Sequence, residues 1–324
     1  MLALASTPTY DASTISNPAT SQAAFGALQD DPAQPLLPRA TLGRYVPGSV
    51  FKIVTAIAAL GSGAITPATT YKQQPGAEKN GLLVEGYRVH DGHHPQTGSK
   101  LLDLADATEV SCNIWYALTG LRTGGADLVG YAERMGFGAA LPFDLPTAVS
   151  QVTNGKGAQP GGFVDDVELA NASYGQAETF VTPLQMALVA ATVANGGELM
   201  RPRLVTSMSG KRSGTRTIGS QAMGRVIPVA DAESIKVAMV QAVEGPLGRL
   251  FTTGAKVSGV TTAGKSGTAE LGGSGEPHSW FIGFAPAENP TIAIAVLVEQ
   301  AGRGGEVAAP IAGRLMTRYL KGAQ

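Results

Sequence analysis

Residues 44–61 read Arg-Tyr-Val-Pro-Gly-Ser-Val-Phe-Lys-Ile-Val-Thr-Ala-Ile-Ala-Ala-Leu-Gly, and this stretch decides the fold. Pro47-Gly48 marks a turn, after which apolar residues recur with the spacing of one helix face. A glycine at the end of such a run is typical of a helix C-terminus. The pattern therefore predicts a buried helix that begins near Ser49 and ends at Gly61.

Ser49 and Lys52 are three residues apart, so they share one face of the predicted helix. A serine hydroxyl needs a nearby base to become a nucleophile, and a lysine amine supplies one if its surroundings keep it neutral. The helix N-terminus would also stabilise a developing anion. A helix cap and an exposed lysine would fit the same letters, but Phe51 and Ile53 flank Lys52 and favour burial of its amine.

Ser111-Cys112-Asn113 is a second candidate element, within or beside a predicted helix. A second hydroxyl near Lys52 could relay a proton to a leaving group, and the asparagine amide could hold a peptide bond of a substrate. The tripeptide alone is also typical of a helix cap. Cys112 is expected to be a small buried side chain, with a reactive thiol as the alternative.

Residues 265–268 read Lys-Ser-Gly-Thr, and residues 259–266 also fit the phosphate-loop pattern G-x-x-x-x-G-K-[ST]. A phosphate loop must open a helix, whose first amides bind the phosphates. The glycine-rich residues after Thr268 can hardly sustain two helical turns, whereas β-branched residues 260–262 and the apolar run 278–284 indicate an antiparallel hairpin. We therefore predict a hairpin and retain a P-loop NTPase as a remote alternative.

The rest of the chain alternates between helical and strand-like patterns. Helices are predicted at residues 101–121, 126–135, 181–194 and 306–320. Strands are predicted at residues 2–6, 261–271, 279–284 and 291–299. A helical middle between mixed ends predicts one globular unit with two lobes: an α/β lobe of about residues 1–60 and 196–324, and a helical lobe of about residues 61–195.

Composition excludes several classes of protein. Of the 324 residues, 44% are hydrophobic and 15% are charged, which provides a core and rules out a disordered chain. The formal charge of −1 gives no basic footprint for nucleic acid or for an anionic membrane surface. The longest apolar stretches, residues 53–60 and 292–298, are far shorter than the ~18 residues that span a bilayer.

Metal and disulfide chemistry are also constrained by composition. A single cysteine excludes an intramolecular disulfide, and with only four histidines it leaves little for a structural zinc site. One loop nevertheless carries a cluster of metal-ligand types, namely His90, Asp91, His93 and His94. Polar residues in a Gly/Pro-containing loop are more typical of a solvated surface, so we expect no metal and no organic cofactor.

The three motifs in this order resemble the fingerprints of serine β-lactamases and penicillin-binding proteins. The resemblance is strongest to the transpeptidase domain of class B penicillin-binding proteins. It extends to the approach to Ser49 (residues 35–49), to Ser-Tyr-Gly-Gln with the residues after it (173–186) and to His-Ser-Trp-Phe-Ile-Gly-Phe-Ala-Pro (278–286). It covers the chain from about Leu2 to the last helix.

The resemblance implies an α+β fold, with an antiparallel five-stranded sheet flanked by helices plus an all-helical lobe. It also implies a D,D-transpeptidase that cross-links peptidoglycan stem peptides through a serine acyl-enzyme. Ser49 would attack the D-Ala-D-Ala carbonyl and Lys52 would take its proton. Ser111 would pass a proton to the departing D-alanine, supported electrostatically by Lys265.

The remaining site residues follow from the same resemblance. Asn113 would orient the donor amide, and Ser266, Gly267 and Thr268 would bind the terminal carboxylate. The backbone amides of Ser49 and Thr268 would form the oxyanion hole. The expected partners are donor and acceptor stem peptides, β-lactam antibiotics and, in a full-length form, membrane proteins of cell-wall synthesis.

Members of this family usually carry a membrane-spanning helix and an N-terminal pedestal domain, and neither pattern occurs here. The chain is therefore expected to be a soluble catalytic domain, excised from a protein at the extracytoplasmic face of the bacterial inner membrane. Two rivals share the fold: a serine β-lactamase and a β-lactam sensor domain, which binds without turnover. Glu168-Leu-Ala-Asn171 is similar to the deacylating region of class A β-lactamases, although its spacing is one residue too short.

Overall fold

The polypeptide of this computed structural model is described over residues 1–91, 94–210, 214–248, 252, 254–272 and 275–322. His93, one of the four predicted polar loop residues, lies outside these ranges. The α-helices of the described chain are α1 (Ala12–Ser16), α2 (Ser21–Asp30), α3 (Arg39–Leu42), α4 (Lys52–Gly61), α5 (Gln74–Asn80), α6 (Leu104–Glu109), α7 (Asn113–Thr123), α8 (Gly125–Arg134), α9 (Asp166–Ala172), α10 (Pro183–Ala194), α11 (Val229–Glu244) and α12 (Ala308–Gly322).

In the described chain the strands form one larger sheet and three two-stranded sheets, all antiparallel. They are β1 (Leu82–Val84), β2 (Tyr87–Val89), β3 (Glu198–Met200), β4 (Ser207–Gly210), β5 (Gly214–Thr217), β6 (Ala222–Arg225), β7 (Ala263–Ala269), β8 (His278–Ala285) and β9 (Ile292–Val298). The larger sheet has the order β7-β8-β9, with Lys265 opposite Ile282 and Phe281 opposite Val296.

Helices cover both faces of the larger sheet, because the alternating side chains of β8 are apolar on both sides. Trp280, Ile282 and Phe284 join the main core, which also holds α4 and α10. Phe281 points the other way, into a smaller cluster with Met316 of α12. Every residue of β8 is buried as a result.

Helix α4 lies at the centre of the main core. Nine of its ten residues are buried, so the helix is apolar all round, as a central helix must be. A 3₁₀ turn, Gly48–Phe51, leads directly into it and carries Ser49. The predicted helix is therefore confirmed, with its first turn wound more tightly than an α-helix.

The fold class is confirmed as α+β, with two differences in detail. In the described chain the larger sheet has three strands instead of five, and residues 2–6 make no strand, because most of them lie exposed to solvent and pair with no ladder. The helix predicted over residues 101–121 is divided into α6 and α7 by a turn at Ser111. The division into two lobes stays a prediction, since a single core cluster includes both Trp115 and Trp280.

No helix in the described part of the chain combines the length and the hydropathy that crossing a membrane requires.

Candidate active site

The backbone around Ser49 is held by contacts between glycines. Gly48 adopts φ +55°, a left-handed conformation that favours glycine, and its N–H donates to the Gly175 carbonyl at 2.9 Å. A Cβ on Gly175 would lie 2.0 Å from the Gly48 oxygen, so no larger residue fits there unless the turn moves. The turn leaves Ser49 partly exposed, while Lys52, three residues later, is fully buried.

Strand β7 lies directly against this turn. A Cβ on Gly48 would lie 2.7 Å from the Thr268 carbonyl oxygen, and one on Gly267 would lie 3.0 Å from that of Pro47. Close approach of the two backbones therefore depends on glycine at both positions. Along β7, Lys265 and Ser266 are buried whereas Thr268 is exposed, beside the turn that carries Ser49.

Ser111 occupies a turn that closes the end of α6. The φ of Ser111 is +61°. The Cys112 N–H donates to the Ala107 carbonyl at 2.9 Å, and the Ser111 N–H donates to the Thr108 carbonyl at 3.3 Å. This is the Schellman arrangement, in which glycine usually occupies the left-handed position. Here a serine occupies it, at a backbone cost of about 1 kcal/mol.

Both lysines converge on Ser111. The Lys52 Nζ donates to the Ser111 carbonyl, to Asn113 Oδ1 at 2.7 Å and to Ser111 Oγ at 3.2 Å. The Lys265 Nζ donates to the same Oγ at 2.9 Å and to the Ser266 carbonyl at 2.9 Å. A hydroxyl has two acceptor sites and one proton, so with both acceptor sites filled by amines Ser111 can donate its proton elsewhere.

Burial controls the charge of these amines. Removal from water lowers the pKa of Lys52 to about 8, although Asp91 and Cys112 oppose the shift. Burial, and then the charge of Lys52, lower the pKa of Lys265 well below its ordinary value. The site therefore holds two amines that lose their protons far more easily than a lysine in water, and the partly exposed Ser49 lies three residues before the first of them.

Comparison with known proteins places the chain in a family. The family model of the penicillin binding protein transpeptidase domain matches residues 1–317. The chain belongs to this family. The class B resemblance is confirmed by the relatives described next.

Curated relatives include peptidoglycan D,D-transpeptidase PbpA of Mycolicibacterium smegmatis, 36% identical over 96% of this chain and 62% of the relative. Peptidoglycan D,D-transpeptidase MrdA of Salmonella typhimurium is 27% identical over 98% of this chain and 53% of the relative. The chain thus spans less than two thirds of the length of these relatives.

Solved structures agree. The crystal structure of PBPA from Mycobacterium tuberculosis superposes with a TM-score of 0.83 at 33% identity, covering 98% of this chain and 73% of that one. The penicillin G acyl-enzyme complex of penicillin-binding protein A from the same organism gives a TM-score of 0.81 at 33% identity, with coverages of 99% and 71%.

The P-loop alternative is wrong for this domain. Residues 263–269 form a strand of an antiparallel sheet and open no helix, so no helix N-terminus is available for phosphates at Lys265. The amine of Lys265 is instead buried against Ser111.

One group of metal-ligand types lies beside the lysines. Asp91, His94 and Cys112 bring one ligand atom each to within 4.8 Å of one another, and His94 Nε2 lies 3.5 Å from Asp91 Oδ2. Burial raises the pKa of the Cys112 thiol well above its usual range, and the neighbouring Asp91 adds to this. Among the described residues these three have the donor atoms to hold a divalent ion. Cys112 is, as expected, a small buried side chain.

The structure brings together most residues that the motifs predict. Lys52, Ser111, Asn113 and Lys265 share hydrogen bonds, and the backbone of Gly267 and Thr268 contacts the turn of Ser49. Gly175 belongs to a stretch that carries the resemblance, but its support of that turn was not predicted. Nor was a contact of Tyr116 predicted, whose ring centroid lies 5.5 Å from the Lys52 Nζ.

A pair of substitutions at Ser111 should separate backbone strain from chemistry. Ser111→Gly and Ser111→Ala both remove the hydroxyl, but only glycine accepts φ +61° without strain. The glycine variant should therefore be about 1 kcal/mol more stable than the alanine variant in urea unfolding. Equal stabilities would show that the left-handed turn is not strained.

Proposed function

We propose that this domain is a D,D-transpeptidase, in which Ser49 forms an acyl-enzyme with a D-Ala-D-Ala stem peptide. The observation that carries the proposal is the pair of buried amines on Ser111, one of which belongs to the helix that follows the turn of the partly exposed Ser49. The relatives' names and the penicillin G acyl-enzyme of the mycobacterial protein support it.

The hydrogen bonds of Lys52 define a proton path for the first half-reaction. A neutral Lys52 has two N–H groups and one lone pair; its hydrogens are accepted by the Ser111 carbonyl and Asn113 Oδ1, which leaves the lone pair for the Ser49 proton. Ser49 Oγ then bonds to the carbonyl carbon of the penultimate D-alanine. The backbone amides of Ser49 and Thr268 hold the oxyanion, at about 3 kcal/mol per donor.

The intermediate collapses when the peptide C–N bond breaks. Ser111 supplies the proton to the departing D-alanine and regains one from the lysines that bind its oxygen. Asn113 orients the donor amide, while Ser266, Gly267 and Thr268 bind the terminal carboxylate, near the positive charge that Lys265 carries when protonated. In the second half-reaction an acceptor amine attacks the acyl carbon and the ester bond to Ser49 Oγ breaks as the new amide forms. The proton that the amine loses passes through Lys52 to Ser49 Oγ, which restores the hydroxyl and the neutral lysine.

Turnover by water is disfavoured by the surroundings of Glu168. One oxygen of its carboxylate accepts from the Thr153 hydroxyl at 2.6 Å and the other from the Val164 N–H at 2.7 Å. Both oxygens therefore hold the loop before α9, which supports a transpeptidase over a β-lactamase. Within a longer protein, the domain would act at the outer face of the bacterial inner membrane, with membrane proteins of cell-wall synthesis as partners.

The test is covalent trapping followed by transfer. Intact mass spectrometry after brief exposure to benzylpenicillin should show the protein heavier by one whole antibiotic, and the adduct should persist for many minutes. A thioester mimic of the donor, given D-alanine as acceptor, should yield the exchanged product. Rapid loss of the adduct with consumption of penicillin would indicate a β-lactamase, a stable adduct without transfer would indicate a sensor, and no adduct would overturn the proposal.

Two glycine substitutions test the support of the nucleophile turn. Gly175 and Gly63 both have positive φ, but a Cβ would collide with Gly48 at the first and meets no atom within 4 Å at the second. Gly63→Ala should cost about 1 kcal/mol of stability and leave acylation unchanged. Gly175→Ala should lower the free energy of unfolding by a further ~1–3 kcal/mol, because the added Cβ collides with the backbone of Gly48. It should also slow acylation tenfold or more, because the collision displaces Ser49. Stopped-flow measurements with a chromogenic cephalosporin would record the rate. Unchanged acylation in Gly175→Ala would remove this contact from the site.

A further inference from the structure

Glu109, the last residue of α6, is a buried carboxylate outside all three motifs. One of its oxygens accepts from the N–H groups of Leu247 and Gly248 at 2.7 and 2.9 Å, and the other accepts from Gln241 Nε2 at 2.7 Å. Its side chain is only 3% exposed, and the ion pairs of the described residues do not include it. Burying a carboxylate without hydrogen bonds is unfavourable, and these three donors compensate for the burial.

These donors come from one place, the C-terminal end of α11 together with the turn that follows it: Gln241 lies in the last turn of the helix, and Leu247 and Gly248 lie just after it. Helix α11 packs against α6 on one side and against β7 on the other. Near the same end, the Glu244 carboxylate accepts from the N–H of Thr262, the residue just before β7. Hydrogen bonds near this end of α11 therefore connect it to Glu109 on one side and to the residue before the strand of Lys265 on the other.

Glu109 also lies two residues before Ser111. Between them the chain makes the Schellman turn, whose hydrogen bonds fix Ser111 rigidly to the last turn of α6. Contacts that fix the end of α6 therefore also fix the position of the Ser111 hydroxyl. They do so although the left-handed backbone of Ser111 is strained.

We propose that Glu109 is a positioning residue, which keeps the Ser111 hydroxyl in register with Lys265 by binding the C-terminal end of α11. The inference rests on the proposed function, since it assigns Glu109 to the proton path of that reaction. The effect is indirect: Glu109 touches no substrate, and its loss moves the hydroxyl relative to the amine 2.9 Å away. A displacement of about 1 Å at a reacting group can slow a reaction by ~10²-fold.

The test compares three variants of Glu109 with a control variant at a second hydrogen-bonded carboxylate, Glu168. Glu109→Ala removes the acceptors and should lower the first-order acylation constant for benzylpenicillin roughly tenfold to a hundredfold, with little change in its half-saturating concentration. Glu109→Asp keeps the charge but is one methylene shorter, so it should give an intermediate loss. Glu109→Gln can still accept from both backbone N–H groups, and Gln241 can turn its amide to pair with it, so its acylation should stay within about threefold of wild type.

Glu168→Ala is the control, because Glu168 also joins a helix to a loop through a hydroxyl and a backbone N–H. It should lower the melting temperature and leave the acylation constant unchanged. Wild-type acylation constants in Glu109→Ala and Glu109→Asp, or an equal loss in Glu168→Ala, would overturn the positioning role. If Glu109→Ala does not fold, the acylation constants of Glu109→Asp and Glu109→Gln are compared instead: a loss in the first without a loss in the second supports the positioning role, and equal constants refute it. Failure of the wild-type protein to acylate would instead refute the proposed function.

Discussion

Ser49→Ala is expected to abolish the covalent adduct with benzylpenicillin while leaving the protein folded. Alanine removes a single oxygen from a partly exposed position of the 3₁₀ turn, and the backbone contacts of Gly48 with Gly175 and β7 do not involve that oxygen. Intact mass spectrometry over several hours should show only the unmodified mass, whereas wild type is modified within minutes. Peptide mapping of wild type should place the adduct on the fragment that contains Ser49.

The matched control is Ser62→Ala, at the opposite end of the same helix. The Ser62 hydroxyl donates to the Ala59 carbonyl at 3.4 Å, and its loss should leave acylation at the wild-type rate. An adduct on Ser49→Ala would mean that another hydroxyl is the nucleophile. Ser111 would be the first to examine, although its oxygen is occupied by two amines.

Local patterns in the sequence account for much of this site. The helix at Lys52 and the hairpin at Lys265 follow from apolar spacing and turn residues, which act over a few positions. The three motifs then locate the lysines and Ser111, because this chemistry recurs with the same residue types. The burial that lowers the lysine pKa values was anticipated for Lys52 from its apolar neighbours Phe51 and Ile53.

Other features depend on partners far away in the chain and could not be predicted. The turn at Ser111 interrupts a run whose periodicity predicts one helix, because a serine in a left-handed C-terminal position gives no glycine signal. The role of Glu109 depends on donors more than 130 positions away, at Gln241, Leu247 and Gly248. Nothing local in the sequence distinguishes it from an exposed glutamate at the end of a helix.

The larger sheet has fewer strands among the described residues than the five that the resemblance implies, because that number was taken from the family as a whole. Residues 2–6 are apolar enough for a strand, yet they lie exposed and form no ladder in the described chain. Strand formation needs a partner edge as well as a favourable residue pattern. The pattern can be read from a single sequence, but the partner edge cannot.

Replacing Lys52 should have the second large effect, and it should carry a pH signature. In wild type the acylation rate should rise with pH and level off above about 8, because burial lowers the pKa of Lys52 to about 8 and only the neutral amine can accept the Ser49 proton. Lys52→Arg keeps a charge that is not lost at any working pH, and Lys52→Met has no basic nitrogen. Both variants should acylate at least ~100-fold more slowly.

The pH profile distinguishes a lost base from a damaged fold. A variant that merely packs badly would acylate slowly but keep the rise towards pH 8, whereas a variant without the base should lose that rise. Lys256→Arg is the control, since this lysine is about two-fifths exposed and pairs with Glu244 on the surface; it should match wild type in rate and profile. Wild-type acylation by Lys52→Met, or an unchanged profile, would remove Lys52 from the mechanism. It would leave Lys265 as the base, because its amine is also buried and binds the same Ser111 oxygen.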